Sequence, residues 1–317
     1  MIAFIIRRTA AAIPVLVLVS VIVFFLMRLL PGDVIDLIVG EAQVDLSEET
    51  IAALRRQYGL DEPVHVQYFK WIARVTSGDF GVSFRNYQPG IDIILPRLLP
   101  TLQIGLTALL LSVAIAIPLG AVSAARPNSV WDRIAAAGAF IGASTPYFLA
   151  GGLLIYFVAL QGRLLPPSGY VSPFEDLGES AKRTILPAIT LALSLTALLV
   201  RQARASFSEV LALPYIQAAY AKGLSETQVI VRHAMKNALL PIVTILGLQL
   251  GGLFSGAVVT ETVFAIPGIG RLLVDSVLGR DYPIVQVLVL MIAATVVIAT
   301  LLVDIVYGLL DPRAPTT

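Results

Sequence analysis

The sequence predicts an all-α polytopic membrane protein with six transmembrane helices, and three observations carry that expectation. The 317-residue chain is 57% hydrophobic and only 14% charged, whereas soluble domains are about a quarter charged. Charge-free apolar runs long enough to cross ~30 Å of hydrocarbon, roughly 20 residues each, occupy 9–27, 98–125, 134–162, 237–260 and 282–303, with a shorter sixth at 184–200. Lys and Arg gather in alternate connections: Arg7 and Arg8, then Arg126 and Arg133, then Arg201, Arg204, Lys222, Arg232 and Lys236. Positively charged short loops resist translocation, so that side is expected to be cytoplasmic and to hold both termini. The loop at 164–183 opposes this weakly, because its Lys182 and Arg183 stand with Glu175, Asp176 and Glu179.

Taken in order, the first apolar run competes with a cleavable signal peptide. It is long for an h-region and has no small-x-small site before Pro31, so it is expected as a retained helix. Residues 31–97 are the substantial non-membrane piece, a small helical extracytoplasmic insertion. In it, Ser47 is placed to cap a helix through Tyr58 that stops at Gly59, and Asp61 with Pro63 to open another. The second helix carries Val64, Tyr68, Trp71, Ile72 and Val75 as one apolar stripe, expected to pack onto the tops of the spans rather than to contact substrate. The run GDFGVSF at 78–84 reads as a turn with a short extended piece.

Within the spans, Gly105, Gly120, Gly138, Gly142, Gly151, Gly152, Gly247, Gly251, Gly252 and Gly256 are expected to serve close helix contacts. Pro118, Pro146, Pro187 and Pro241 each free a backbone carbonyl and allow kinks. The fourth connection is the best-punctuated part of the chain. Pro214 suits a first helical turn and Gly223 the left-handed position past a helix end, giving a short helix over 214–222. Ser225 and Gln228 then stand at capping-box spacing, with Leu224 and Val229 placed as a hydrophobic staple, so a second helix starts at Glu226 and runs into the next span. Ala218, Ala219 and Gly223 make a small-residue surface flanked by Tyr215 and Lys222, which fits either a compact docking knob or a basic helix lying on anionic headgroups.

Catalytic signatures are missing. With two histidines, His65 and His233, no HExxH pair forms; there is no GxSxG elbow and no GxxxxGK[ST] loop. No catalytic residue, metal site or cofactor is expected, and any ATP dependence must come from a partner. Without cysteine there is no disulfide and no thiolate metal site, and a net charge of +1 gives no reason to expect nucleic acid. Arg28, Glu261 and Asp304 lie near span ends, where interfacial or structural roles compete with a place on a pathway. Gln249, Ser255 and Thr260, with Glu261, are candidates for lining a polar translocation route, helix-to-helix hydrogen bonding being the alternative.

QAAYAKG followed by LLP resembles the EAA motif of ABC importer permeases. The resemblance extends through PYIQAAYAKGLSETQVIVRHAMKNALLPIV, TETVFAIPGIGRLLVDSVLGRDYPIVQ and LLDPR, with LLPGD, YGLDEP, GDFGVSF and STPYFLAG nearer the start. Together these cover most of the chain and resemble the B-type permeases of dipeptide, oligopeptide and nickel importers. The resemblance implies a type I ABC importer fold with 1–317 as a single transmembrane domain and 205–236 as its cytoplasmic coupling loop. It implies a bacterial inner-membrane location, a C-type sister permease, two ABC ATPase subunits and an extracytoplasmic solute-binding protein. It also implies ATPase coupling through Tyr215, Gln217, Ala218, Ala219, Lys222 and Gly223. Gln217 replaces the motif's first Glu, so a salt bridge from that position is not inherited, and the stretch from Gly223 to Pro241 is longer than in the general importer motif. Peptide is the substrate by resemblance, with glutathione-like compounds, nickel complexes and oligosaccharides open. A secondary transporter or channel using no ATP is the rival reading.

Overall fold

The computed structural model describes residues 2–29, 48–57 and 61–310. Its elements are helical: α1 (Ile2–Leu29), α2 (Glu48–Gln57), α3 (Val64–Thr76), α4 (Gly90–Ala125), α5 (Val130–Ser144) and α6 (Tyr147–Leu154, widening into a π-helical turn over Ile155–Gln161). Then follow α7 (Leu177–Leu211), α8 (Pro214–Ala221), α9 (Glu226–Val263), α10 (Ile269–Leu278) and α11 (Tyr282–Leu310). Among the described residues, five helices are long and apolar enough to cross a membrane, and α5 with α6 makes a sixth crossing if the bent pair counts as one. The expected cap Ser47, the stop at Gly59 and the segment 30–47 lie outside the described residues, as do 311–317.

The run at 134–162, expected as one span, is instead broken. α5 and α6 meet at 107°. Pro146 causes the break: it has no N–H to continue the ladder, and its ring pushes the preceding residue out of the helical region. Thr145 accordingly sits at φ −89°, ψ 117°. Pro118, Pro187 and Pro241 lie inside unbroken helices, so of the four only Pro146 makes a sharp corner.

The chain divides into two compact units, one of Met1–Ile6, Pro100–Gly270 and Ile298–Thr317, the other of Arg7–Leu99 and Arg271–Val297. In the first, α7 is the central element, packed against both α5 and α9. Small residues set its distance from its neighbours. A Cβ on Gly142 would stand 2.8 Å from the Leu193 carbonyl oxygen, and one on Gly120 would meet the backbone of Ala203 and Arg204. Gly247 and Gly256 are close-packed as expected, whereas a Cβ on Gly105, Gly138, Gly152 or Gly252 would meet nothing within 4 Å among the described residues. One apolar cluster gathers Phe207, Ile216, Val229, Ala238 and Ile242; a second gathers Ile104, Leu186, Leu191, Leu195 and Phe264.

Antiparallel α5 and α7 are joined at one end by a buried carboxylate. Asp132 accepts from Arg204 Nε at 2.6 Å and Nη2 at 3.0 Å, from the Asn128 backbone N–H at 2.9 Å, and from the Ser123 hydroxyl. A two-pronged guanidinium contact of this kind fixes direction as well as distance. The arginine was readable in the sequence as a topology signal; its partner was not.

In the second unit, Tyr68 and Trp71 of the α3 stripe pack onto a span, while Val64 at its start is exposed. Phe24 of α1 is buried, with its ring centroid 5.3 Å from Tyr68 and 5.6 Å from Trp71. Ser20 shares a 2.8 Å hydrogen bond with the Tyr68 hydroxyl, and Arg28 lies 3.7 Å over the Phe24 ring while donating to Gln67. Arg28 is thus spent on joining α1 to α3. The turn at 78–84 forms with Gly78 and Gly81 at positive φ and a single bridge between Val82 and Pro89. The Asp281 carboxylate, just before α11, accepts from the Ser83 hydroxyl and, at 3.1 Å, from the Phe84 N–H.

Gly120→Val is expected to lose about 1–3 kcal/mol, since the added methyls have backbone to meet and not a mobile side chain. Gly105→Ala, into open space, is expected to change stability by less than about 0.5 kcal/mol. Thermal denaturation midpoints of the two variants in detergent check the pair, and equal midpoints would contradict the packing described.

Candidate functional site

The segment between α7 and the membrane part of α9 forms as its punctuation dictates. Pro214 occupies the first turn of α8, Lys222 closes it, and Gly223 follows at φ +81°. The reversal is held by Gly223 N–H donating to the Tyr220 carbonyl at 2.9 Å. Gln228 Oε1 then accepts the Ser225 N–H at 3.1 Å, closing the capping box that starts α9. Glu226, in the first turn, receives Arg126 Nη2 at 3.1 Å, a contact that joins this segment to the end of α4 across 100 positions of sequence.

α8 has two faces. Ile216 and Ala219, three apart, are buried in the apolar cluster formed with Phe207 and Val229. Tyr215, Gln217, Ala218, Tyr220 and Lys222 are exposed, and a Cβ on Gly223 would meet nothing within 4 Å. Ala219, expected on the outward small-residue surface, is therefore on the inner face: the three-residue step from Ile216 turns it toward the core. Tyr220 replaces it outside, one aromatic edge beside Lys222 as Tyr215 is at the other end. Burial, and behind it the charge of Glu226, raises the Tyr220 pKa, so its hydroxyl stays a neutral donor.

α8 is tied to the helix that follows it. Asn237 Nδ2 donates to the Tyr215 hydroxyl at 2.8 Å, and that hydroxyl donates to the His233 carbonyl at 3.4 Å. Gln217, standing where the motif has Glu, donates its amide to the Leu211 carbonyl at 3.2 Å. It caps the end of α7 from within the chain, a use for which an amide N–H is needed and a carboxylate is unsuited. Between the capping box and the apolar part of α9, residues Val229–Ala234 form a π-helical turn, a feature with no composition signal in the sequence.

The four path candidates part company. Ser255 is exposed, on the same open side of α9 as Thr244, Leu248 and Gly251, whereas Gln249 is half-exposed and stands about 100° further round the helix from Leu248. Thr260 and Glu261 are wholly buried. Thr260 donates to the Gly256 carbonyl at 2.9 Å, while Glu261 accepts the Thr101 hydroxyl at 2.5 Å. Thr101 Oγ1 in turn accepts the Ile269 N–H at 2.8 Å, and the Ile266 N–H donates to the Glu261 carbonyl at 2.8 Å. A side chain at Gly268 would run into the Glu261 carboxyl group. Glu261 thus fixes the tight turn from α9 into α10. Gln103 makes a second polar knot, donating to Ser180 at 2.9 Å and Thr184 at 2.8 Å and accepting from the Tyr170 hydroxyl at 3.1 Å.

Residues 116–315 match the family described as binding-protein-dependent transport system inner membrane component, and residues 1–105 match the corresponding N-terminal family. The chain is 39% identical over 310 residues to a probable peptide ABC transporter permease protein, y4tP, of Sinorhizobium fredii, covering 98% of each. It is 38% identical to the dipeptide transport system permease protein DppB of Escherichia coli, covering 99% of this chain and 98% of that one. It is also 38% identical to the glutathione transport system permease protein GsiC of Salmonella paratyphi A, covering 98% of each. A chain of the MetNI methionine ABC transporter, solved in inward-facing conformations, aligns over 70% of this chain and 97% of its own with a TM-score of 0.57 at 16% identity, which establishes a shared fold.

Gly223→Val places a β-branched residue at positive φ, at a cost of about 1–2 kcal/mol or more. Hydrogen exchange of the α8 amides is expected to quicken at least tenfold in that variant, with protection in α7 unchanged. Unaltered α8 exchange would show that the turn does not depend on the glycine.

Proposed function

The chain belongs to the binding-protein-dependent transport system inner membrane components and is a multi-pass permease subunit of an ATP-driven ABC importer; from that premise we propose that it carries peptides and forms half of the translocation route beside a C-type sister permease. The family implies ATPase and binding-protein partners. In our reading there are two ATPase subunits, they hydrolyse the ATP, and this chain contributes no ATPase chemistry. The termini and the loop 205–236 face the cytoplasm, and 31–97 helps to seat the solute-binding protein. The peptide assignment rests on full-length similarity to permeases named for peptide, dipeptide and glutathione transport.

The observation that carries the coupling reading is the two-faced α8. Its inner residues are locked into the core while Tyr215, Ala218, Tyr220 and Lys222 are left outside. Small residues between aromatic and cationic edges suit insertion into a partner's groove. The hydrogen bonds from Tyr215 to α9 supply a path by which displacement of α8 reaches a membrane-crossing helix. For ATP to drive the cycle, the ATPases must hold the two permease states with different affinity, because equal affinity shifts nothing.

Ala218→Trp adds bulk where there is no internal neighbour to displace, so the chain is expected to fold and insert normally. Co-purification of the ATPase subunits and ATP-dependent dipeptide uptake are each expected to fall at least about tenfold, the loss of one well-packed docking contact. A variant with full uptake and intact co-purification would remove α8 from the coupling role. The isolated chain in proteoliposomes is expected to hydrolyse no ATP, and turnover without added partners would overturn the division of labour.

A further inference from the structure

The end of the α5–α7 pair holds a cavity of about 460 Å³, within the 300–1,000 Å³ range of small-ligand sites. Its polar end is formed by Asp132, Arg133, Arg201 and Arg204. The Asp132 carboxylate is spent on Arg204, and among the described residues no acidic side chain pairs with Arg133 or Arg201. The cavity therefore carries two uncompensated guanidinium groups. Its other walls are apolar: Ala136, Phe140 and Val200. Arg133, Ala136 and Phe140 follow at helical spacing on the exposed side of α5, with Phe140 73% exposed. Small Ala136 leaves the groove open between cation and ring.

The two arginines also stand at defined points of the apolar pattern. Arg133 immediately precedes the charge-free run 134–162 and Arg201 immediately follows the run 184–200, so by that pattern the cavity begins at the hydrocarbon boundary and continues along exposed residues of the apolar run. Anionic headgroups lie at that depth and attract basic side chains. A water-soluble anion would have no use for the apolar wall, and an acidic protein segment would have to enter beside hydrocarbon.

We propose that this cavity binds an anionic phospholipid, its phosphate held by Arg133 and Arg201 and its acyl chain lying along Ala136 and Phe140. Arg204 does not serve the lipid directly; its bond to Asp132 holds the two helices that form the site. The bound lipid is an annular component seated at one defined place.

The test is native mass spectrometry of the assembled transporter, purified in mild detergent and equilibrated with equal phosphatidylglycerol and phosphatidylcholine. Preferential retention of phosphatidylglycerol is expected, falling about tenfold or more in the double variant Arg133→Ala, Arg201→Ala. Arg126→Ala, at another boundary site paired with Glu226, is expected to leave retention unchanged and controls for general loss of positive charge. Because Arg133 and Arg201 are exposed and pair with no acid among the described residues, the double variant is expected to keep the Asp132–Arg204 bond and its fold. Equal retention of both lipids, or undiminished phosphatidylglycerol in the double variant, would overturn the proposal. So would displacement of the lipid by glycerol 3-phosphate at comparable concentration, which would make the site one for a free anion. Loss of partner subunits with lipid retention intact would likewise overturn it, in favour of a protein contact.

Discussion

Hydrocarbon offers no hydrogen bonds to a peptide group, so each stretch of backbone inside it must bond within its own helix. That constraint explains the long helices, and also where the chain departs from them. At Pro146 the ladder is interrupted and the direction turns by 107°. Thr145 O–H donates to the Ile141 carbonyl at 2.7 Å, and its N–H reaches the same carbonyl at 3.0 Å, so this one acceptor beside the break is served by both side chain and backbone of one residue. The widened turns at Ile155–Gln161 and Val229–Ala234 likewise keep their bonds internal, in a longer loop.

Polar groups inside the first unit are used as fasteners between elements far apart in sequence. Asp132 with Arg204 secures α5 to α7, Gln103 links α4 to α7 and to the loop at Tyr170, and Glu261 with Thr101 secures the turn into α10. Asp132 accepts from Arg204, Asn128 and Ser123, and Gln103 donates to two hydroxyls while accepting from a third; such pairing is what makes the burial of polar groups tolerable. Between them the surfaces are small and apolar, so helices approach closely through glycine and alanine. The segment around α8 uses the same device in an exposed setting, Tyr215 and Asn237 joining α8 to α9.

Much of this was legible from residues. The helix at 214–222, the left-handed Gly223 and the capping box at Ser225 follow from local stereochemistry, which does not depend on the rest of the fold. The stripe on α3 and the glycine turns at 78–84 were readable for the same reason. Tertiary partnerships were not: nothing local in Asp132 announces Arg204, and Glu261 reads as a structural or a pathway residue until Thr101 and Gly268 are placed beside it. Small size alone points Ala219 outward, but the three-residue step from Ile216 decides its direction and turns it to the inner face. The glycines divide similarly, since size permits close approach and only the neighbour decides whether it happens.

The π-helical turn at Val229–Ala234 has a further consequence for how this chain tolerates change. Such a turn accommodates one residue more than an α-helical turn, and each residue carries a helix about 100° around its axis. The angular position of Gln249 and Ser255 with respect to Tyr215 is therefore indexed by a single surplus residue. Substitutions along 229–234 preserve that index, whereas loss or gain of one residue there would swing the whole membrane part of α9 to present a different side, carrying Asn237 away from Tyr215 as it turned. Length, more than identity, is the quantity this stretch has to keep.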